Sequence, residues 1–447
     1  MIFPIPRVLN DFSSEFAKKG FHLFVVGGAV RDFCLGKKNN DFDFATDASP
    51  DDVISLFPKV IPSGIKHGTV TVLFKGWQFE VTTFRSEGNY SDSRHPDSVT
   101  FGVSLEEDLK RRDFTINALA VSLPDSKIID LNEGIPDLDK RVIRCIGNPE
   151  ERFSEDALRM MRACRFSAQL DFSIDQDTLK AMKKMCNNIS NVSAERIQEE
   201  FTRILDSGNP EAGLICMAES GLMKIIIPEL YSTIGVEQKG LHHEDVFNHS
   251  LSTLRFAVKR KFDQNVRMAA VFHDIGKPSC MADNGQRNTF HNHENVGAEI
   301  TRKILKRLKY SNAVIDKVTS LVKNHMFNYS SQWTDGAVRR FILRCNKSYV
   351  FDQLCLRLAD EYAICGSCSN TAIEELTDRI EKLETTSFTV NDLALNGQDL
   401  MKMGLKPGPV FSQIKEFLLE QVLDRPELNT KEELAKIAGK FISHIEG

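Results

Sequence analysis

The apolar pattern of this chain changes once, near residue 145, and that change restricts the folds that it can adopt. Before this point, short apolar runs alternate with polar residues in the way that β-strands do. These runs lie near residues 23–27, 41–45, 69–74, 77–84, 118–123 and 127–131. After residue 150 the apolar spacing is helical and remains so. The sequence therefore predicts an α+β protein, with a mixed sheet in the first third of the chain and helices in the rest.

A chain of 447 residues is too long to pack around a single core, so two to four domains are expected. Polar segments that contain glycine, such as residues 235–240, indicate the junctions between them. The predicted domains are a strand-containing region at 1–145 and three helical regions at 146–235, 236–370 and 371–447.

The sequence favours a cytoplasmic protein that makes no contact with membranes. No apolar run approaches the roughly 20 residues that cross a bilayer, and the N-terminal segment lacks the features of a secretory signal. The ten cysteines fit reduced, mostly buried thiols. Cys365 and Cys368 have the spacing of metal ligands, but no second pair follows them, which favours a structural role. No segment indicates an obligate protein partner.

Two aspartates separated by one residue, Asp41 and Asp43, lie in an alternating segment that reads as a strand. Both carboxylates would then project from the same face, where they repel each other unless a divalent cation lies between them. Mg²⁺ prefers oxygen ligands and is often completed by substrate phosphates, so it is the predicted occupant. Glu80, in the strand predicted near 77–84, is a candidate third carboxylate or else a solvent-facing side chain.

A predicted phosphate site lies just upstream of the two aspartates. Gly27 and Gly28 follow a buried strand and let the backbone approach a bulky anion, while Arg31 offers a forked cation to phosphate oxygens. Further along, Arg112 is a second candidate for holding a triphosphate, with Asp113 supporting it from behind. A basic turn is the alternative interpretation of that second segment.

The segment from Ser154 to Leu170 reads as one helix with a polar face. Asp156, Arg159, Arg162 and Arg165 recur every three residues, close enough to line that face. A carboxylate accepts hydrogen bonds and a guanidinium donates several, so the two together suit the Watson–Crick edge of a base. Salt bridges along a surface helix are the alternative.

Taken together, these motifs resemble those of class II tRNA nucleotidyltransferases, which are the CCA-adding enzymes of the DNA polymerase β superfamily and their bacterial poly(A) polymerase relatives. Any one motif is weak evidence, but their order along the chain is specific. The matching segments are residues 27–32, 41–43, 111–118, 155–159, 193–200 and, near the C-terminus, 390–400.

The resemblance implies a polymerase-β-like head, a helical neck that reads the base, and a helical body and tail that grip tRNA. Asp41 and Asp43 would bind catalytic Mg²⁺, with Glu80 as a third catalytic carboxylate. Gly28, Arg31 and Arg112 would hold the phosphates. Asp156 and Arg159 would recognise CTP or ATP, with Arg162 and Arg165 beside them.

The implied reaction is template-independent addition of CCA to the 3′ end of tRNA, with release of pyrophosphate. Residues 85–96 resemble the flexible loop that CC-adding enzymes have shortened, and their full length favours addition of the terminal A. The net charge of −5 does not itself indicate nucleic acid, but basic residues cluster at 110–112, 152–165, 259–261 and 303–309. These clusters permit RNA binding.

Histidine and aspartate residues between 249 and 360 form a second predicted metal site. Side chains of these types on several helices can converge on one or two divalent ions. The pattern resembles the HD phosphohydrolase superfamily and implies a second divalent transition metal. Some nucleotidyltransferases carry this domain as an active phosphohydrolase and others keep only its fold, so both remain open. The matching residues are His249, His273, Asp274, His293, His325 and Asp360.

Other functions remain open at this point. A poly(A) polymerase shares the catalytic motifs but usually carries an extra basic run after the aspartates, and residues 62–68 contain none. An enzyme that adds only the terminal A is a related alternative. A third interpretation makes phosphohydrolysis the main activity and the head a vestigial RNA-binding module. The intact Asp41 and Asp43 argue against it.

Overall fold

The computed structural model describes residues 3–87, 99–238, 244–283, 288–366, 371–383, 388–405 and 408–446. The chain divides into two compact units, Met1–Tyr231 and Ser232–Gly447. Each unit has its own core and its own cluster of polar side chains. No helix in the described ranges combines the length and the apolar character needed to cross a membrane.

The first unit is built on a mixed sheet of seven strands, in the order β3-β4-β5-β2-β1-β8-β9. Strands β2 and β5 pair in parallel, and the other neighbouring pairs are antiparallel. The strands are β1 Leu23–Val26, β2 Asp43–Thr46, β3 Val60–Gly64, β4 Thr69–Phe74, β5 Trp77–Thr83, β8 Leu119–Leu123 and β9 Ile128–Asp130. Two short pairs add β6 Arg85–Glu87 with β7 Val99–Phe101, and β10 Val142–Ile143 with β11 Ser173–Ile174.

All six predicted strands are present, which confirms the mixed sheet of the α+β prediction. The strand predicted near 41–45 begins two residues later, at Asp43. The pattern missed β3, because this edge strand contains Pro62 and Gly64, residues that are more typical of turns.

Helices flank the sheet of the first unit and then form its C-terminal part. Local signals fix several of them: Ser49 and Asp52, for example, form a reciprocal capping box at the start of α3. The helices are α1 Arg7–Ala17, α2 Gly28–Cys34, α3 Pro50–Leu56, α4 Leu105–Lys110, α5 Gly134–Lys140, α6 Pro149–Glu155, α7 Leu158–Leu170, α8 Gln176–Met185, α9 Ala194–Leu205, α10 Pro210–Glu219, α11 Leu222–Ile226 and α12 Pro228–Tyr231.

An aromatic cluster holds α1 against the sheet. Phe12 is fully buried, and its ring lies 5.2 Å from the ring of Phe44 in β2 and 4.8 Å from that of Phe79 in β5. Phe57, after α3, stacks on it at 4.9 Å. Offset and edge-to-face contacts of this kind add to the large apolar area that aromatic residues bury. The cluster therefore fixes β2, the strand that carries Asp43.

The predicted helix from Ser154 to Leu170 is wrong in one respect, because the structure breaks it in two. Helix α6 ends at Glu155, Asp156 adopts an extended backbone with φ −144° and ψ 104°, and α7 begins at Leu158. The carboxylate of Asp156 accepts a hydrogen bond from the Leu158 amide at 3.1 Å. Aspartate favours such local bonds at helix starts over a place in the helix interior.

The second unit is helical throughout its described residues, apart from one short strand pair. That pair is β12 Ala282–Asp283 with β13 Asn288–Thr289. Its helices are α13 Val246–Lys259, α14 Gln264–Phe272, α15 Lys277–Cys280, α16 His293–Arg307, α17 Asn312–Asn324, α18 Asp335–Cys345, α19 Val350–Cys365, α20 Thr371–Leu383, α21 Gly397–Lys402, α22 Pro409–Asp424 and α23 Lys431–Glu446.

Candidate active site

Three carboxylates lie together on one part of the sheet. Asp43 begins β2 and is in register with Glu80 of the parallel strand β5. Asp41 precedes β2, on the loop that follows α2. The pKa of Asp43 is raised to about 6, first by burial and then by the charges of Asp41 and Glu80. A divalent cation with oxygen ligands relieves such repulsion, so this donor set fits Mg²⁺.

The glycine pair after β1 lies beside two guanidinium groups. Gly27 has φ 73°, a conformation that favours glycine, and a Cβ atom there would lie 3.5 Å from Nη1 of Arg112. A Cβ atom on Gly28 would lie 3.6 Å from Nη2 of Arg31. Within the described residues, the buried Nε of Arg112 has no hydrogen-bond partner. Backbone and guanidinium donors that converge in this way suit phosphate oxygens.

Asp113 supports a different arginine from the one that the sequence suggested. The prediction that it lies behind Arg112 is wrong, since Arg162 of α7 donates a hydrogen bond to it from Nε at 2.7 Å and forms an ion pair with it through Nη2 at 2.6 Å. Arg112 instead forms an ion pair with the buried Asp108, in which its Nη2 lies 3.4 Å from Oδ2. Burial would raise the pKa of Asp113, but Arg162 outweighs that effect and holds it below its ordinary value.

Two arginines of α7 and one of α2 lie around the ring of Phe166. The guanidinium carbons of Arg165, Arg31 and Arg162 lie 4.5, 5.4 and 5.5 Å from the centre of the Phe166 ring. Arg165 also pairs with the buried Glu200 at 2.9 Å. Burial lowers the pKa of Arg165 to about 10, and the charge of Arg162 acts in the same direction. Phe166 therefore helps to hold three like charges together.

Hydrogen bonds from or to neighbouring protein groups hold both Asp156 and Arg159 in place. Arg196 of α9 donates two hydrogen bonds to Asp156, from Nη1 to Oδ1 at 3.2 Å and from Nη2 to Oδ2 at 2.7 Å. Arg159 donates to the carbonyl oxygens of Arg152 and Arg111, each at 3.1 Å. It also pairs with Glu155. This carboxylate and this guanidinium are thus presented in fixed orientations.

A single cavity of about 910 Å³ in the first unit connects these groups. Nine arginines and four aspartates line it, an excess of positive charge that suits a triphosphate. Glu80 is the one predicted head or neck residue that does not line it, although it neighbours Asp43. The predicted residues that line the cavity are Gly28, Arg31, Asp41, Asp43, Arg112, Asp156, Arg159, Arg162 and Arg165.

Several residues of this site were not singled out from the sequence. Asn39, Asn117 and Arg196 line the same cavity, as does Phe166. Asn117 and Arg196 lie within segments 111–118 and 193–200, which carry the family resemblance, so the resemblance could have identified them. Asn39 had only its place two residues before Asp41. Of the predicted flexible loop at 85–96, residues 88–96 lie outside the described part of the chain, while Arg85 lines the cavity.

The second unit brings its six predicted metal ligands into one buried cluster, with exposures between 0% and 7%. Two groups share Asp274. One group contains His249 and His273, and the other contains His293 and His325. Asp360 joins the first group, with Oδ1 at 3.0 Å from Nε2 of His249.

Backbone contacts fix the direction of three of these imidazoles. Nδ1 of His273, His293 and His325 lies 2.7–2.9 Å from a backbone carbonyl oxygen, which can only accept, so each Nδ1 carries the proton. The Nε2 atoms then face inward, as in metal sites. Nε2 of His273 lies 3.3 Å from that of His249, and the same distance separates His293 from His325.

Two Nε2 atoms at 3.3 Å need a proton or a metal cation between them to offset the repulsion of their lone pairs. The carboxylates of the cluster favour positive charge: burial would lower the pKa of His273, but Asp274 and Asp360 raise it to about 10. This donor set of imidazole and carboxylate groups fits a divalent transition metal.

Comparison with known proteins assigns the family. A model described as the poly A polymerase head domain matches residues 23–144, and one described as a probable RNA and SrmB-binding site of polymerase A matches 171–233. A model for domain 2 of tRNA nucleotidyltransferases matches residues 291–438.

Relatives of known function match almost the whole chain. The CCA-adding enzyme of Levilactobacillus brevis is 36% identical over 407 residues, 90% of each chain. That of Latilactobacillus sakei is 34% identical over 443 residues, 96% of this chain and 99% of its own. The crystal structure of the Bacillus stearothermophilus CCA-adding enzyme in complex with CTP is 29% identical, with a TM-score of 0.74 over 98% of both chains. This chain therefore belongs to the family of CCA-adding enzymes, which are tRNA nucleotidyltransferases.

Proposed function

We propose that the protein adds CCA to the 3′ end of tRNA from CTP and ATP, without a nucleic-acid template and with release of pyrophosphate. The observation that carries the proposal is the cavity of about 910 Å³ in the first unit. Its lining contains the carboxylates of Asp41 and Asp43, two arginines beside a glycine turn, and both Asp156 and Arg159. The likeness to the B. stearothermophilus enzyme that binds CTP supports the same substrate class.

The carboxylates are proposed to hold the catalytic cations. The nucleotidyltransferase family uses divalent metal ions, and we assign Mg²⁺ to Asp41 and Asp43, with Glu80 as a third carboxylate beside Asp43. Bound there, the metal would lower the pKa of the attacking 3′-hydroxyl and neutralise charge on the leaving oxygen. Burial raises the pKa of Asp43 most, and repulsion from Asp41 and Glu80 raises it further; this repulsion supports the assignment.

Phosphate and base are proposed to bind at opposite parts of the cavity. Gly28, Arg31 and Arg112 would bind the triphosphate and align the α-phosphate for in-line attack by the tRNA 3′-oxygen. Asp156 and Arg159 would pair with the Watson–Crick edge of the base, because one accepts hydrogen bonds and the other donates them. Arg162 and Arg165, on the same helix, would complete the positive wall.

The domain limits predicted from the sequence remain proposals. We assign 1–145 to the catalytic head, 146–235 to the base-reading neck, 236–370 to the HD-type body and 371–447 to a tRNA-binding tail. We also propose the cytoplasm as the compartment. The free thiols of the nine cysteines that the structure describes support a reducing environment.

A nucleotide-addition assay tests the main proposal. The protein is incubated with Mg²⁺, labelled CTP and ATP, and a tRNA that lacks its last three nucleotides. Ordered addition of two C and one A is the expected result. An A tail of variable length would point instead to a poly(A) polymerase, and addition of A alone to tRNA ending in CC would point to an A-adding enzyme. No extension at all would refute the proposal.

The buried cluster of the second unit supports a second candidate function, metal-dependent phosphohydrolysis. Its two groups of ligands share Asp274, an arrangement that suits two ions bridged by one carboxylate. We assign the ligands His249, His273, Asp274 and Asp360 to one ion and Asp274, His293 and His325 to the other.

Metal content and hydrolysis together test this second function. The purified protein is loaded with Mn²⁺, its metal-to-protein ratio is measured, and release of phosphate from cyclic and terminal phosphate esters is followed. Two ions per chain and hydrolysis that Asp41→Ala leaves intact are expected. Fewer than one ion per chain after loading would contradict the assignment of the site. Two bound ions without hydrolysis would contradict the catalytic role.

A further inference from the structure

Asn39 lies at the point where the phosphate-binding helix and the metal-binding carboxylates meet. It belongs to the loop between α2, which carries Arg31, and β2, which begins at Asp43. Because Asp41 precedes β2, strand pairing does not hold its backbone in place. The backbone N–H of Asp41 donates instead to Oδ1 of Asn39 at 2.8 Å.

The other end of the same amide reaches back to α2. Nδ2 of Asn39 donates to Oδ2 of Asp32 at 2.8 Å. The other oxygen of Asp32, Oδ1, accepts from Nε of Arg31 at 2.9 Å and forms an ion pair with its Nη2 at 2.7 Å. Nη1 of Arg31 is fixed in turn by Asn117 at 2.8 Å. A continuous chain of hydrogen bonds therefore links Asp41 to the guanidinium of Arg31.

Few side chains can make both of these contacts. The amide of Asn39 must accept a hydrogen bond at one end and donate one to a carboxylate at the other. An aspartate at this position would accept but would repel Asp32, and a lysine would donate but could not accept. A turn-forming asparagine needs only the first contact. The second contact, to Asp32, goes beyond what the turn requires.

We propose that Asn39 is a positioning residue for nucleotidyl transfer, which sets the distance between the metal-binding Asp41 and the phosphate-binding Arg31. The proposal rests on the function proposed above. In-line transfer requires the metal and the α-phosphate to be held in one geometry, and misplacement by about 1 Å can cost a hundredfold in rate. Asn39 acts through Asp41 and Asp32 and does not touch the reacting atoms.

The test compares Asn39→Ala with Asn40→Ala, a matched change at the exposed neighbouring asparagine. With truncated tRNA, CTP and ATP, Asn39→Ala is expected to lower kcat by about tenfold to a hundredfold. It should also raise the Mg²⁺ concentration for half-maximal rate by about tenfold, with a smaller change in KM for CTP. The preference between CTP and ATP should stay within about twofold of wild type, because Asp156 and Arg159 are not contacted. Asn40→Ala should match wild type in all four measurements.

A serine variant separates the two contacts of Asn39. In Asn39→Ser the hydroxyl can still accept from the Asp41 N–H in a tight turn, but its shorter side chain loses the bond to Asp32. It should recover no more than part of the rate lost in Asn39→Ala. Thermal midpoints should stay within about 2 °C of wild type for all variants, which excludes unfolding as the cause.

Two results would overturn the proposal. One is equal kcat and Mg²⁺ dependence in Asn39→Ala and Asn40→Ala, while wild type adds CCA normally. The other is full recovery of rate by Asn39→Ser, which would show that the bond to Asp32 contributes nothing. Failure of the wild-type protein to extend tRNA refutes the proposed function instead, so the two failures are distinguishable.

Discussion

Replacing Asp113 by asparagine should both destabilise the first unit and weaken nucleotide binding at its proposed site. Asp113 is 7% exposed and accepts three hydrogen bonds, from Nε of Arg162 at 2.7 Å, from the Phe114 amide at 2.8 Å and from Asn117 at 3.3 Å. Nη2 of Arg162 also forms an ion pair with it at 2.6 Å. An asparagine keeps the size of the side chain but removes its charge and one of its two acceptor atoms. Arg162 would then lose its charged partner.

The size of the effect follows from the burial of the two partners. Removing one partner of a fully buried ion pair costs about 3–5 kcal/mol. The side chain of Arg162 is 34% exposed, so water can solvate part of the charge that is left behind. We therefore expect a loss of about 2 kcal/mol in the free energy of unfolding, which for a unit of this size lowers Tm by about 4–8 °C.

Tryptophan fluorescence can follow the first unit alone. The chain has two tryptophans, Trp77 in the first unit and Trp333 in the second. In a Trp333→Phe background, thermal unfolding seen by Trp77 reports the first unit, and a CTP titration gives the affinity. Asp177→Asn is the matched control, since within the described part of the chain the Asp177 carboxylate pairs with Lys180 alone and its side chain is 81% exposed. Its effect should stay within about 0.5 kcal/mol.

The pH dependence has a defined sign. Burial would raise the pKa of Asp113, but Arg162 lowers it below the ordinary value of 3.8. The stabilisation is therefore present above that value and is lost as the pH falls through the lower, folded-state pKa. The Tm difference between wild type and Asp113→Asn should be constant from about pH 8 to pH 5 and shrink below about pH 4. A Tm equal to that of Asp177→Asn at pH 7 would refute the reasoning.

Three further outcomes are expected. Asp41→Ala should abolish nucleotide incorporation, because the Asp41 carboxylate is proposed to bind the catalytic metal. In a filter-binding assay, tRNA affinity should stay within about twofold of wild type. Loss of tRNA binding by a folded variant would contradict that role. Arg159→Ala should reduce the discrimination between CTP and ATP more than it lowers the rate with saturating CTP, as measured in competition assays; unchanged selectivity would count against base reading. Asp274→Asn should lower the bound Mn²⁺ from two ions per chain to one or none, as measured by elemental analysis, with CCA addition unchanged; two retained ions would show that this carboxylate does not bridge them.

The sequence identified most of the elements and many of the residues that line the cavity of the first unit. Six strands and the change to helix follow from apolar periodicity, which is a local property. The glycine turn before Arg31, the Asp41 and Asp43 pair and the order of the motifs were sufficient to indicate the family. The periodicity failed where a local bond competes with it, as at Asp156, whose carboxylate accepts a hydrogen bond from the Leu158 amide at the point where the predicted helix is broken.

The tertiary structure decided which of these groups meet. Parallel pairing of β2 with β5 places Glu80 beside Asp43, and packing of α7 gives Asp113 to Arg162 rather than to Arg112. The buried histidine cluster of the second unit likewise joins His249 to Asp360, 111 residues away. Periodicity and turn chemistry act over a few residues, so the sequence reveals them directly. Ion pairs and metal ligands depend on long-range packing, which only the folded chain determines.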